Sequence, residues 1–250
     1  MLIISWGIIA AVVAGLAWFF GSQAGGEILW LTDIMVLPLA GGLIIMALPD
    51  RHARFIKWIA ATFAFAALAL SVVVVFKYRQ DGGAGYQFLE RTPWIPSLGI
   101  SYQLGVDGIA TAMLLLTGVI IFCGCLASWG VEHRAKEFFA LLLVLVTGVF
   151  GVFAAQDLFL FFLFYEVAVL PMYLLIGIWG TGPKEYSAMK LTLYLLLGSA
   201  LMLVGFLAMY FMSGASPLTF DMTVLRSAAF SGAFQRLYFP FLFLGFGTLA

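Results

Sequence analysis

The sequence contains little charge. Only 10% of its 250 residues are Asp, Glu, Lys or Arg, whereas a typical soluble domain has about 25%. Hydrophobic residues make up 64%, and the mean hydropathy is +1.11. The 12 basic and 12 acidic residues cancel, which gives no sign of a nucleic-acid partner. These values exclude an ordinary soluble domain and predict a protein that crosses the membrane several times.

Side chains that bind metals or carry redox chemistry are also few. The two cysteines, Cys123 and Cys125, lie two residues apart in an apolar run and would face different directions on a helix. We expect them to pack as small hydrophobic residues. The two histidines, His52 and His133, lie in charged loops and are interpreted as solvated. No glycine-rich nucleotide motif, haem spacing or cysteine cluster is present, so the sequence indicates no metal and no cofactor in this chain.

Long apolar runs divide the chain. Seven of them are long enough to cross a bilayer, which takes about 20 residues. They lack the two-residue alternation of a membrane barrel, so we predict helices throughout and an all-α polytopic fold. The predicted spans are 2–20, 28–48, 58–76, 104–129, 138–155, 157–179 and 186–212, and an eighth begins at 237–250.

The connections between the runs suggest three regions. Residues 1–27 would form an N-terminal helix and a polar link. Residues 28–130 would form the next helices, with an ordered loop at 77–103 that contains several glycines and prolines. Residues 131–250 hold the remaining helices. Lysines and arginines concentrate in the short loops on one side of the predicted membrane, which predicts that these loops are cytoplasmic.

The span 157–179 contains the most unusual residue of the chain. Glu166 lies near its middle, about 13 Å beyond Asp157. A carboxylate at the bilayer centre costs about 2.5 kcal/mol or more, and such residues commonly belong to proton relays. Pro171 removes the helical hydrogen bond of the Val167 carbonyl, next to Glu166. The alternative is a neutral carboxylic acid that is hydrogen-bonded within a helix bundle.

Lys190, near the start of span 186–212, is the candidate partner of Glu166 within this chain. A cation that approaches or leaves a buried acid changes the acid's protonation. The alternative is a lysine that extends to the membrane surface. Tyr194, one helical turn further on, would extend the polar line. Asp33 and Asp107 lie at span starts and are interpreted as acids at helix N-termini.

Three segments resemble one family of membrane subunits. They are RTPWIPSLGISYQLGVDGI at 91–109, DLFLFFLFYEVAVLPMYLLIGIWG at 157–180 and KLTLYLLLGSALMLVG at 190–205. In this order and spacing they are similar to segments of subunit M, or chain 4, of NADH–quinone oxidoreductase, respiratory complex I. The resemblance covers about residues 28–250.

The resemblance implies the first half of an antiporter-like inverted-repeat fold, in which residues 131–250 would be the first repeat, incomplete at its C-terminal end. It implies a multi-pass subunit of the bacterial inner membrane in which Glu166 and Lys190 take part in proton translocation. This chain would hold no cofactor, whereas NADH, FMN, iron–sulfur clusters and quinone would be bound by partner subunits. The partners would be other membrane subunits, especially neighbouring antiporter-like subunits, and lipids. The family's lysine that pairs with Glu166 is expected beyond Ala250, and 1–27 would be an additional helix.

Two other functions remain open at this point. The chain could be a subunit of a multi-subunit cation/proton antiporter or of a membrane-bound hydrogenase, which share the glutamate and the lysine. It could also be a structural membrane subunit without transport of its own, since the expected lysine partner is not among its residues.

Overall fold

The computed structural model describes residues 29–49, 53–78 and 85–248. Within these ranges, six helices are long and apolar enough to cross a membrane, which confirms the predicted helical membrane class. The predicted span 2–20 lies outside the described residues. The chain forms two compact units. The first unit consists of the described residues up to Glu90 and of Gly105–Ala154, and the second consists of Arg91–Leu104 and the described residues from Ala155 onward.

The first unit is a bundle of four membrane helices. Helix α1 packs against α2 and α4, and α3 packs against α2 and α4. Gly41 of α1 allows a close approach to α2, because a Cβ atom there would lie 2.7 Å from Cγ of Phe63. The helices are Trp30–Ala47 (α1), Ala53–Lys77 (α2), Gly108–Ala127 (α3) and Ala135–Ala154 (α4).

The predicted loop 77–103 contains a β-hairpin, which the sequence analysis missed. Strands Gln87–Ile95 (β1) and Ile100–Val106 (β2) pair in a two-stranded sheet. A short 3₁₀ turn over Pro96–Leu98 joins them and ends at Gly99, whose φ of 64° favours glycine. The predicted start of the fourth span at residue 104 is therefore wrong, since the polar groups of β2 pair in the sheet and the helix begins only at Gly108.

The second unit is built on two long helices and a shorter one. Helix α6 packs against both α5 and α8. The predicted loop 213–236 contains the short helix α7, and α8 begins five residues earlier than predicted because Ser231 caps it by accepting a hydrogen bond from Phe234 N. The helices are Leu158–Trp179 (α5), Lys184–Met212 (α6), Met222–Ser227 (α7) and Gly232–Gly247 (α8).

Candidate functional site

Helix α5, which carries Glu166, begins at a buried carboxylate. Asp157 is the N-cap residue and accepts hydrogen bonds from Phe159 N at 2.9 Å and Leu160 N at 3.2 Å. It is 0% exposed. Its other oxygen accepts from the backbone N–H of Ser101 at 3.0 Å and from the Ser101 hydroxyl at 3.4 Å. Burial raises the pKa of the Asp157 carboxyl, and these hydrogen bonds oppose that shift.

Backbone hydrogen bonds extend the hairpin sheet to the start of α5. The Gln156 N–H donates to the Gln103 carbonyl at 2.8 Å, and Leu158 N–H donates to the Phe220 carbonyl at 3.0 Å. Asp157 and Asp221 face each other in an antiparallel bridge. Strand β2, the turn before α5 and the segment before α7 therefore lie side by side. This arrangement fixes one end of the helix that carries Glu166.

Asp221 repeats this construction at the start of α7. It is 1% exposed and accepts hydrogen bonds from the backbone N–H and the hydroxyl of Thr223. Its second oxygen lies 3.4 Å from the guanidinium of Arg91 in β1. Two buried aspartates thus hold two helix N-termini against the hairpin. The sequence analysis did not find this role for Asp157, since its main partner lies 56 residues earlier.

Glu166 lies in the first half of α5 and is half-buried. Within the described part of the chain, its carboxylate has no hydrogen bond and no ion pair. The neighbouring Tyr165 packs against the apolar core of the second unit, and its hydroxyl is buried without a hydrogen-bond partner among the described residues. The structure therefore places a half-buried acid and an unpaired hydroxyl at adjacent positions of a membrane helix.

Lys190 lies on the exposed face of α6. It shares a groove of about 350 Å³ with Tyr194, the residue predicted to extend its polar line. The other residues that line the groove are Tyr186, Met189, Leu193 and Leu197. Helices α5 and α6 are packed neighbours, but no ion pair joins Glu166 to Lys190 in the described residues. The structure thus places the two predicted residues on adjacent helices without pairing them.

The two aspartates at predicted helix starts have different surroundings. Asp107 caps α3 as predicted and accepts a hydrogen bond from Ala110 N at 2.7 Å. Asp33 lies in the first turn of α1 and is buried, but the N–H groups of that turn are bound by another acid, Glu90 of β1. Nothing in the local sequence around Glu90 indicated this contact.

Glu90 caps α1 from a distance of 59 residues in the chain. Its carboxylate accepts hydrogen bonds from Leu31 N at 2.8 Å and Thr32 N at 3.1 Å, and a third comes from the Thr32 hydroxyl. Burial raises the pKa of the Glu90 carboxyl, although these hydrogen bonds lower it. The acid thus replaces a local cap, which α1 lacks at Leu29.

The cysteines are both free thiols, with Cys125 buried in α3 and Cys123 exposed on it. Among the described residues, no group of three or more His, Cys, Asp or Glu side chains could hold a metal ion.

One family and several known proteins are similar to this chain. Residues 155–249 match the family described as NADH:quinone oxidoreductase/Mrp antiporter, TM. NAD(P)H-quinone oxidoreductase chain 4 1 of Nostoc sp. is 36% identical over 222 residues, which are 89% of this chain and 41% of the relative. NAD(P)H-quinone oxidoreductase chain 4 2 of Thermosynechococcus vestitus is 36% identical over 219 residues, which are 88% of this chain and 41% of the relative. The chain thus spans about two-fifths of the length of these relatives.

Solved structures show the same fold. Respiratory complex I from Thermus thermophilus with bound NADH contains a chain that is similar with a TM-score of 0.73 and 24% identity, over 87% of this chain and 42% of that one. The Mrp complex from Dietzia sp. contains a chain with a TM-score of 0.69 and 18% identity, over 87% of this chain and 23% of that one.

Proposed function

We propose that this chain is an antiporter-like, proton-translocating membrane subunit of an NADH:quinone oxidoreductase. The proposal is supported by the match of residues 155–249 to the family described as NADH:quinone oxidoreductase/Mrp antiporter, TM, and by the similarity to NAD(P)H-quinone oxidoreductase chain 4. Its place would be the bacterial cytoplasmic membrane, among other membrane subunits of the same complex. Electron transfer takes place in partner subunits, where NADH, FMN, iron–sulfur clusters and quinone are bound. This chain would move protons without carrying a redox centre.

The observation that carries the proposal is the position of Glu166. It lies within a 22-residue membrane helix, half-buried, and the described residues provide it with no hydrogen bond and no cation. An acid at such a depth is neutralised either by a proton or by a nearby positive charge. A cation that comes from elsewhere in the complex would expel the proton, and its withdrawal would let Glu166 take up another.

The surroundings of Glu166 suit such a switch. Its helix is fixed at one end by the buried hydrogen bonds of Asp157, so a moving charge would change protonation rather than displace α5. Lys190 and Tyr194 lie on the exposed face of the adjacent helix, where they can extend a polar path toward another helix. We assign proton translocation to Glu166 and Lys190.

The test is the substitution Glu166→Gln in the assembled complex, with Glu185→Gln as the control. Glu185 is exposed at the start of α6 and is not part of the proposed path. Quinone reduction and proton uptake are measured together in sealed membrane vesicles. We expect Glu166→Gln to lose coupled proton translocation while the complex still assembles. A full ratio of protons to electrons in Glu166→Gln would contradict the proposal.

A second function is favoured by the match to Mrp antiporter segments. The chain could then belong to a cation/proton antiporter or to a membrane-bound hydrogenase without quinone reductase activity. Sodium–proton exchange in vesicles that lack an electron donor would favour the antiporter. Copurification with flavin and iron–sulfur subunits would favour the quinone oxidoreductase.

A further inference from the structure

A groove in the second unit is lined mainly by apolar residues and has its polar residues near one end. It has a volume of about 490 Å³ and lies where α6 ends and α8 begins. Gln235 and Arg236 line it near the start of α8, and Met209 and Leu242 line it further along the helices. The remaining residues that line it are Phe230, Phe234, Tyr238 and Phe239.

The groove runs from the end of the helices toward the middle of the membrane. Leu242 lies six residues, or about 9 Å, beyond Arg236 along α8. The helices α6 and α8 are antiparallel neighbours, because Gly205 lies against Leu242 and Gly198 lies against Gly245. The polar end of the groove is therefore near the membrane surface, and the apolar end lies deeper.

Arg236 at the polar end has no acidic partner among the described residues. Its Nε donates to the Gly232 carbonyl at 3.2 Å, and no carboxylate among the described residues lies within ion-pair distance of it. None of the described residues that line the groove is acidic. Arg91, by contrast, pairs with Asp221. The Nη groups of Arg236 are therefore available to an anion from outside the described residues.

Aromatic side chains form the wall of the groove. Phe230 and Phe234 stack with ring centroids 4.6 Å apart, and Tyr238 follows with its ring 4.8 Å from that of Phe234. Phe239 is 62% exposed. Tyrosine and arginine side chains at the membrane surface can bind a lipid headgroup, and the apolar residues deeper in the groove can contact its acyl chain.

We propose that this groove binds a phospholipid with a net negative headgroup. The phosphate would accept hydrogen bonds from the Arg236 guanidinium, whose planar fork suits a phosphate group. One acyl chain would lie along Phe239, Leu242 and Met209. A lipid with a choline headgroup brings an additional positive charge next to Arg236, and the described lining of the groove contains no acid to pair with that charge. The site is therefore selective for anionic lipids.

The test compares lipid retention by the purified chain in native mass spectrometry. Phosphatidylglycerol and phosphatidylcholine with identical acyl chains are offered at equal concentrations. Arg236→Gln is expected to lower the affinity for phosphatidylglycerol about fivefold, the effect of one basic residue at an anionic surface. Arg226→Gln is the matched control, since Arg226 is an exposed arginine in the same region of the chain that does not line the groove.

A photoreactive phosphatidylglycerol in native membranes provides the second readout. We expect it to label the peptide 230–242 in the unmodified chain, and to label it less in Arg236→Gln. The proposal would be overturned if the unmodified chain retained the two lipids equally. It would also be overturned if Arg236→Gln and Arg226→Gln lowered the affinity for phosphatidylglycerol by the same factor. The proposal would also be overturned if another polypeptide covered the groove. A cross-link between Phe239→Cys and a second protein would show this.

Discussion

The carboxylate of Asp157 accepts hydrogen bonds from both the backbone N–H and the hydroxyl of Ser101, which precedes it by 56 residues. The same side chain caps α5 through Phe159 N and Leu160 N. One buried acid thus joins strand β2 to the helix that carries Glu166.

Replacing Asp157 by Ala should destabilise the fold by about 2–4 kcal/mol. The substitution removes a helix cap, which is worth about 1 kcal/mol, and leaves the buried Ser101 N–H without an acceptor, at about 1–3 kcal/mol. Asp157→Asn should cost less than Asp157→Ala, because the amide oxygen of Asn can still accept hydrogen bonds from one of the two groups of donors. Thermal unfolding in detergent measures the difference.

The matched control for Asp157 is Asp107→Ala. Asp107 also caps a membrane helix, but it is exposed and accepts one backbone hydrogen bond. Its loss should cost about 1 kcal/mol. Equal destabilisation by the two alanine substitutions would show that the contact with Ser101 contributes nothing.

The stability of the folded chain should depend on pH through Glu90. Burial raises the pKa of this carboxyl above its ordinary value of 4.5, so the folded chain binds the proton more tightly than the unfolded chain. The contribution to stability is therefore complete below pH 4.5 and is lost as pH rises through the raised pKa. Glu90→Gln cannot ionise and should lose stability less steeply over this pH range in thermal unfolding.

Thr32→Val provides an independent check of the Glu90 prediction. The Thr32 hydroxyl donates to the Glu90 carboxylate and stabilises its charged form. Without it, the pKa of Glu90 should rise further, and the loss of stability should extend to higher pH. If the unfolding temperatures of the unmodified chain and of Glu90→Gln changed in parallel with pH, Glu90 would not be the group that causes the pH dependence.

Gly245→Ala should separate α8 from α6. A Cβ atom at this position would lie 2.6 Å from Cγ of Met202 and 2.9 Å from the Gly198 carbonyl oxygen. Overpacking of this kind costs about 1–3 kcal/mol. For Gly247→Ala, two residues further on the same helix, the added Cβ atom meets no side chain or neighbouring helix of the described residues within 4 Å, so this variant should not destabilise the chain. Similar unfolding temperatures for the two variants would contradict the close packing of α6 and α8.

Lys190→Gln should lower the rate of coupled proton translocation by about a hundredfold, the lower end of what a positioned proton-transfer group contributes. Lys184 lies on the same helix but donates to the Ile178 carbonyl at the end of α5. Lys184→Gln should therefore lower the unfolding temperature and leave the ratio of protons to electrons unchanged. Unimpaired coupling in Lys190→Gln would remove this residue from the proposed path.

Much of the fold could be predicted from the sequence because membrane insertion depends on local composition. Apolar runs gave the six spans within the described residues, with ends displaced by a few residues. The cap at Asp107 was predicted because its partner lies three residues away. The resemblance to antiporter-like subunits was also correct, since it rested on long segments whose order and spacing are specific.

The hairpin and the buried acids could not be predicted in this way. The partners of Glu90 in α1 and the Ser101 partner of Asp157 lie 56 to 59 residues away in the chain, so no local sequence pattern predicts these contacts. The segment 77–103 contains glycines and prolines that favour turns, so it was predicted to be a loop and its two strands were missed. The groove at Arg236 likewise depends on where α8 begins and on which face it packs against α6.

The sequence by itself determined that the chain crosses the membrane as helices and that Glu166 lies within one of them. The reason is that the free energy of transferring a segment into lipid is the sum of the contributions of its own side chains. Only the tertiary structure decided that Glu166 and Lys190 lie on neighbouring helices without an ion pair among the described residues, and that Asp157, rather than a local loop, anchors α5 to the hairpin. Those outcomes depend on which distant hydrogen-bonding groups the fold brings together, because a buried polar group must find its partner wherever the chain provides one.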